Sequence, residues 1–367
     1  MILIDFGSVY FRSLMTSIST AKPHKKNGNY VTSEYIDVVI YRIISELLET
    51  YKNHKNEFGN LVICIDDASR QYWRKTIYPY YKNARKHQRD ILPIDFNEVF
   101  KHINLLVSVL TKYTPFKSVQ VPGAEADDVI GFLTKKYAPF EKILIWSPDK
   151  DFKQFHNLGY VKQYSSITND WIVAGDLSKW IIKHCCLGDA IDGVPKITDF
   201  LRFSDSFRTY LNGKYNELEF YKLPYSEQDA IIEKFDVFKK NRKGELTETK
   251  DVYDPIPFGE AKLFKTIEQY GSLENWLDSN EILKAQYEIN KKLVLDLYVP
   301  QKIESDILNA YLESPTDFDF ESIKKYLDFY KLGYIANDFK RIFTDNLKTV
   351  KFSESKNLNF NLDSLIF

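Results

Sequence analysis

Only three cysteines occur in the 367 residues, Cys64, Cys185 and Cys186, and their positions make neither a disulfide framework nor a zinc site. Cys64 lies in LVICID, an apolar run that reads as a buried strand, and Cys185–Cys186 close an apolar helical pattern. All three read as reduced core thiols of a cytosolic protein. Apolar runs are short, and none approaches the roughly 20 residues that span a bilayer. The opening segment, MILIDFGSVY, lacks a basic region and holds Asp5 within its apolar stretch, so it does not read as a signal peptide. There is no internal repeat and no low-complexity tract. Net charge is −1, which argues neither for nor against a nucleic-acid partner. The expectation is a soluble cytoplasmic protein of two or three domains.

Aromatic residues are plentiful, with 25 Tyr and 26 Phe. They suit packing or stacking on bases, and composition leaves both open. The first half alternates between strand and helix signals. ILID (2–5), LVICID (61–66), SVQV (118–121) and the start of KILIWSPDKD (142–151) read as strands. Residues 34–51, 94–113 and 124–137 carry helical periodicity. That alternation predicts an α/β domain with a mainly parallel sheet. The second half is more helical, with patterns at 258–271, 279–298 and from about 303 to 345. Residues 200–255 are polar and aromatic without clean periodicity, include the basic KKNRK (239–243), and read as an insertion.

Acidic residues end the predicted strands. Asp5, Asp66 and Asp149 stand at strand C-termini, with Asp151 two residues on. GAEADDVIGF (123–132) places Glu125, Asp127 and Asp128 at a helix start, and LGDAIDGVPKI (187–197) adds Asp189 and Asp192. Acids in a first helical turn are ordinary caps. Nine at one edge of a parallel sheet, where ligands collect, repel one another and call for cations. An oxygen-only set without His or Cys fits Mg²⁺ or Mn²⁺. Two such ions roughly 4 Å apart suit phosphodiester hydrolysis. Asp67 is left out because strand alternation points it away from Asp66. His87, His156 and His184 receive no role.

A second signal lies at SRQYWRKTIYPYYKNARKHQR (69–89), seven Lys/Arg and no acid, interleaved with Tyr72, Trp73, Tyr78, Tyr80 and Tyr81. A solvated basic helix face would look similar. A basic, aromatic run directly after a strand ending in Asp66 suits a phosphate backbone and unpaired bases.

Taken in order, LIDFG, CIDDASRQYWRKTIYPYYKNAR, EADD, SPDKDF and GDAIDGVP resemble the motifs of the structure-specific 5′ nucleases, the flap endonuclease and 5′-3′ exonuclease superfamily, and within it the T-even phage ribonuclease H branch. The resemblance covers roughly residues 1–345. It implies a PIN-like α/β core over 1–185 with a basic arch at 69–93. It implies a helical helix-hairpin-helix-type DNA-binding domain over 186–345, interrupted at about 200–255, and a tail at 346–367. Asp5, Asp66, Glu125, Asp127, Asp149 and Asp151 would hold the catalytic metal, and Asp189, Asp192 and Asp128 the second. Lys82 and Arg85 would clamp the scissile phosphate, Tyr81 would stack on a base, and Arg74 would contact nucleic acid. The implied activity is Mg²⁺-dependent 5′-3′ exonuclease and flap endonuclease action with RNase H activity, removing RNA primers and adjacent DNA in lagging-strand replication. Mn²⁺ would substitute for Mg²⁺. Implied partners are DNA and RNA–DNA hybrid with 5′ ends or flaps, a sliding clamp and a single-strand-binding protein, with no membrane. The competing readings are a PIN-type single-strand endoribonuclease and a non-catalytic, structure-selective DNA-binding protein.

One departure from the family is visible. Gly193-Val194-Pro195 is separated by about sixty residues from PFGEAKLFKTIEQYG (257–271), which looks like the second half of the hairpin. Gly193, Gly259 and Lys262 are then candidates for duplex phosphates, with a monovalent cation beside them. An ordinary loop and helix start is the alternative. The terminal LNFNLDSLIF (358–367) is open to two readings: a tail packed on its own body, or a sliding-clamp peptide using Leu362, Leu365, Ile366 and Phe367.

Overall fold

The computed structural model describes residues 1–243, 252–254, 256–296 and 298–344. The candidate clamp peptide therefore lies outside the described residues, as do the side chains of the KKNRK stretch and of His87.

Strands β1 (Ile2–Asp5), β4 (Leu61–Ile65), β5 (Lys117–Gln120), β6 (Ile143–Trp146), β7 (Val161–Ser165) and β8 (Asp170–Ile172) form one sheet in the order β5-β4-β1-β6-β7-β8. A short hairpin, β2 (Lys25–Lys26) with β3 (Asn29–Tyr30), stands apart. All pairings in the large sheet are parallel except β7–β8. The mainly parallel α/β sheet predicted from the alternation is thus present. β7 and β8 were not anticipated. Neither did the sequence reading anticipate the Phe6–Ala21 helix, whose Ser and Thr positions dilute its apolar stripe.

Strand alternation splits the core between the two faces. Ile2, Ile4, Leu61, Ile63, Leu144 and Trp146 pack on one side with the Phe6–Ala21, Ile36–Phe58 and Phe96–Tyr113 helices. Leu3, Val62, Cys64, Ile143 and Ile145 pack on the other with the Ala126–Tyr137 helix. Burying both faces explains why these strands read as continuous apolar runs. The later helices return to this sheet: Ile303 and Ile307 join the Ala126–Tyr137 side, and Ile323, Leu327, Phe339 and Phe343 join the other. Cys185 and Cys186 sit in a third core with Leu263, Trp276 and Leu283. All three thiols are buried and free.

The described residues of the 200–255 segment are more regular than its lack of periodicity suggested. Helices Asp205–Leu211, Glu217–Tyr221 and Tyr225–Lys243 enclose a small aromatic core of Phe203, Phe207, Phe220 and Phe235. Edge-to-face pairs such as Phe207–Phe220, with centroids 5.3 Å apart, replace the periodic stripe that a longer helix would need.

Candidate metal and nucleic-acid site

The order β4-β1-β6 puts three neighbouring strand C-termini side by side, and each leads into an acid. Asp5 ends β1 and caps the following helix: its Oδ1 accepts from the Ser8 amide at 3.1 Å and its Oδ2 from the Ser147 hydroxyl at 2.8 Å. Asp66 follows β4 and accepts from the Ala126 amide at 2.8 Å. A Cβ on Gly7 would lie 3.4 Å from Asp5 Oδ1 and 3.9 Å from Asp66 Oδ2, so the two carboxylates flank that glycine. Asp149 follows β6 and accepts from the Asp151 amide at 2.9 Å. Asp127 projects from the first turn of the Ala126–Tyr137 helix.

Burial raises the pKa of Asp5 to about 6 and also raises those of Asp66, Asp127, Asp149 and Asp151, with mutual repulsion adding to the effect. Among the described residues, none of these five has a Lys or Arg within ion-pair distance. Lys82 attracts Asp66, Asp127 and Asp149, and Arg85 attracts Asp66 and Asp149, from beyond ion-pair distance, without offsetting the cost of burial.

Glu125 differs. Its oxygens accept from Lys82 Nζ, from Arg74 at 2.8 Å and from the Tyr81 hydroxyl at 3.1 Å. Burial pushes its carboxyl up, yet Lys82 and Arg74 outweigh that and hold it below the ordinary range. Asp192 pairs with Arg85 and lies 3.5 Å from Lys82 Nζ. The Lys82 amide donates to the Asp192 carbonyl at 2.8 Å. Asp189 Oδ1 accepts from the amides of Ile191 at 2.7 Å and Asp192 at 3.3 Å, closing the turn that presents Asp192. Among the described residues, no three of the acids close around one point in metal-ligating geometry. Lys82 and Arg85 occupy oxygens of Glu125 and Asp192 instead.

Three expected roles need correction. Asp128, expected on the second metal, is fully buried. Its oxygens accept from Arg74 at 2.8 Å, the Trp73 indole at 3.1 Å and the Glu125 amide at 2.8 Å. Both oxygens are thus taken up by these donors, and the Glu125–Asp128 pair is a capping box. Arg74, expected on nucleic acid, is 1% exposed. Its guanidinium bonds Glu125, Asp128 and Asp296 at 2.8 Å each, and its Nε donates to the Leu293 carbonyl at 3.0 Å. Tyr81, expected to stack on a base, is buried with its hydroxyl on Glu125. These side chains hold the site from behind because an inward-facing basic residue finds three carboxylates there.

Sequence reasoning missed Asp296. It sits in the apolar run LVLDLYVP, and a lone acid in such a run was the available signal. Gln154 donates to its Oδ2 at 3.1 Å, and burial lifts its carboxyl to about 7. Asp67 accepts from Ser69 and from the Gly123 amide at 2.9 Å, within a turn. His184 approaches Asp151 at 4.0 Å and stacks on Trp180. His156 is held by Gln163 at 3.0 Å.

The two halves of the expected hairpin do meet. Lys196 Nζ donates to the Phe258 carbonyl at 2.8 Å and Lys183 pairs with Glu260 at 2.6 Å. Gly193 has φ +70°, and Gly259 is the N-cap of the Glu260–Tyr270 helix. The Pro257 carbonyl beside it accepts from Lys262 Nζ at 3.1 Å.

Residues 1–175 match the family model described as the 5′-3′ exonuclease, N-terminal resolvase-like domain. The chain is 30% identical to ribonuclease H of Enterobacteria phage T4 over 199 residues, covering 53% of this chain and 62% of that protein. It is 35% identical to a 5′-3′ exonuclease of Buchnera aphidicola over 167 residues, covering 42% of this chain and 54% of the relative. The chain thus spans little more than half the length of these relatives. A solved T5 protein, co-crystallised with metal ions, shares the fold with TM-score 0.51 at 12% identity, over 93% of this chain and 98% of that one. No helix among the described residues is long and apolar enough to cross a membrane. Over its first 175 residues, a little under half of its length, the chain is thus similar to the N-terminal resolvase-like domain of the 5′-3′ exonucleases.

Proposed function

We propose that the chain is a divalent-metal-dependent 5′ nuclease that cuts RNA–DNA hybrid and flapped or nicked DNA from the 5′ end, with Mg²⁺ as its ion and RNA primers among its substrates. The observation that carries this is that Asp5, Asp66 and Asp149 end three neighbouring strands, with Asp127 and Asp151 near enough to repel Asp149, none of the five ion-paired to a Lys or Arg, and Lys82 and Arg85 beside them. The donor set is oxygen only, which fits a hard cation. Asp5, Asp66, Glu125, Asp127, Asp149 and Asp151 would hold one ion, and Asp189 with Asp192 a second. Such ions supply water activation and charge stabilisation at a phosphate.

The protein's own groups do the rest. Lys82 and Arg85 would exchange their carboxylate partners for the incoming phosphodiester, placing two positive charges where negative charge develops. Lys82 stays protonated: burial works against its charge, but Glu125 more than compensates. Arg74 and Tyr81 keep Glu125 in place during that exchange. Gly193, Gly259 and Lys262 would meet the phosphates of the flanking duplex.

Asp149→Ala should abolish cleavage of 5′-labelled flap, hybrid and duplex substrates in Mg²⁺ while leaving substrate affinity within a few-fold of wild type. Wild-type cleavage by this variant, or wild-type cleavage that persists in EDTA, overturns the assignment. Cleavage confined to single-stranded RNA would favour the endoribonuclease reading.

A further inference from the structure

The segment Tyr78–Lys82 alternates in direction. Tyr81 and Lys82 turn toward Glu125, while Tyr80 turns away and meets the 200–255 insertion. The Tyr80 hydroxyl donates to Asp229. The Tyr225 ring stands edge-on to both Tyr78 and Tyr80, with centroids 5.8 and 5.7 Å away. Tyr78 and Tyr80 are themselves edge-to-face at 5.2 Å. Tyr225 and Asp229 are four residues apart in the first turns of the Tyr225–Lys243 helix, hence on one face. The insertion thus grips the base of the arch at Tyr78 and Tyr80, just before Lys82.

It is anchored on its other side as well. The Tyr221 hydroxyl donates to Gln286 at 2.9 Å, and Gln286 donates to Asn290 at 2.8 Å. Asn290 donates to the Cys185 and Pro195 carbonyls at 2.9 and 2.8 Å, fixing the ends of the turn that carries Asp189 and Asp192. The arch backbone rests on that same turn: a Cβ on Gly193 would come within 3.3 Å of the Tyr80 carbonyl. Lys82 has φ +58°, a left-handed conformation rare for a residue with a side chain, so its backbone needs outside support.

We propose that Tyr225 and Asp229 of the insertion are positioning residues for the reaction: by holding Tyr78 and Tyr80 they set the placement of Lys82 and Arg85 over the acids. The inference rests on the nuclease reading above and assigns the insertion a part in it. The insertion lies outside residues 1–175, the part of the chain that matches the family model. A shift of about 1 Å in a charged group near the reacting phosphate is enough to cost up to about a hundredfold in rate.

The test is single-turnover cleavage of a 5′-labelled flap duplex in Mg²⁺ at saturating enzyme, with affinity measured separately in Ca²⁺. D229A and Y225A should each lower the rate roughly tenfold or more with affinity unchanged. D229N still accepts the Tyr80 hydroxyl, and Y225F keeps the ring, so both should stay near wild type. Combined with K82A, D229A should cost less than it does in the wild-type background, because one of the two residues it positions is gone. D229A at the wild-type rate, or an equal fold-loss with and without Lys82, overturns the proposal. If the wild-type protein cleaves none of the substrates in Mg²⁺, the nuclease reading itself has failed, a distinct outcome.

Discussion

Replacing Arg74 by Met keeps most of the buried volume and removes the charge that three carboxylates share. Glu125, Asp128 and Asp296 would then lie together with only Lys82 on Glu125 to offset them. The Leu293 carbonyl would lose its donor, and the cation–π contact with Trp73, 4.7 Å from guanidinium to ring, would go too. Breaking a buried ion pair from one side costs about 3–5 kcal/mol. Against a typical total of about 5–15 kcal/mol that is a large fraction, and for a chain of this length it corresponds to a Tm lower by roughly 5 °C. The assay is thermal and urea unfolding of wild type and R74M at pH 6 and pH 8. The penalty should be smaller at pH 6. The Asp296 carboxyl is already raised to about 7, so below that pH it takes up a proton and the repulsion falls. D296N in the R74M background should recover part of the loss at pH 8. If R74M unfolds within about 1 °C of wild type and instead binds nucleic acid weakly, Arg74 is a surface contact and the buried network has been misread.

Two further outcomes follow from the same geometry. Asp5 is protonated up to about pH 6 in the fold but ionises near 3.9 when unfolded, so the folded state binds the extra proton and stability falls as pH rises between those values. Asp5→Asn should therefore stabilise the protein in EDTA by roughly 1–2 kcal/mol more at pH 7 than at pH 5, read from urea midpoints; an equal effect at both pH values would refute the assigned direction. Gly188 has φ +64°, and a Cβ there would lie 2.3 Å from the Val194 carbonyl oxygen, so Gly188→Ala should lower Tm by several degrees and reduce cleavage, whereas Gly259→Ala, with nothing within 4 Å of its Cβ, should leave Tm unchanged; unchanged stability in Gly188→Ala would mean that the Asp189 turn is not held as described.

How far the sequence was legible depended on the range of the interactions. LVICID and KILIW announced themselves because a strand buried on both faces must be apolar throughout, and their terminal acids marked one sheet edge. The Phe6–Ala21 helix did not, since Ser13 and Ser17 are buried within its inward stripe. Arg74 and Arg85 look alike in a basic run. Only Asp296, 222 residues from Arg74, and Asp128 decide that one is interior while the other stays exposed. The insertion was opaque for a related reason: its aromatic core gathers single rings from several short helices. The grip of Asp229 on Tyr80, 149 residues apart, has no local signature at all.

β1 occupies the middle of the sheet, yet its partners are far along the chain: Ile2 registers with Leu61 on one side and with Leu144 on the other. During synthesis, β1 must wait for more than 140 residues before its second neighbour exists. At translation speeds of about 5–20 residues per second that is a delay on the order of ten seconds. Such long-range pairing makes closure of the sheet slow and leaves the backbone hydrogen-bonding edge of β1 that β6 will cover open meanwhile. It also orders events: Asp5 and Asp149 are brought together only when β6 docks on β1, so the mutual repulsion of these acids is first met at that late step, with β7 and β8 still to add beyond it.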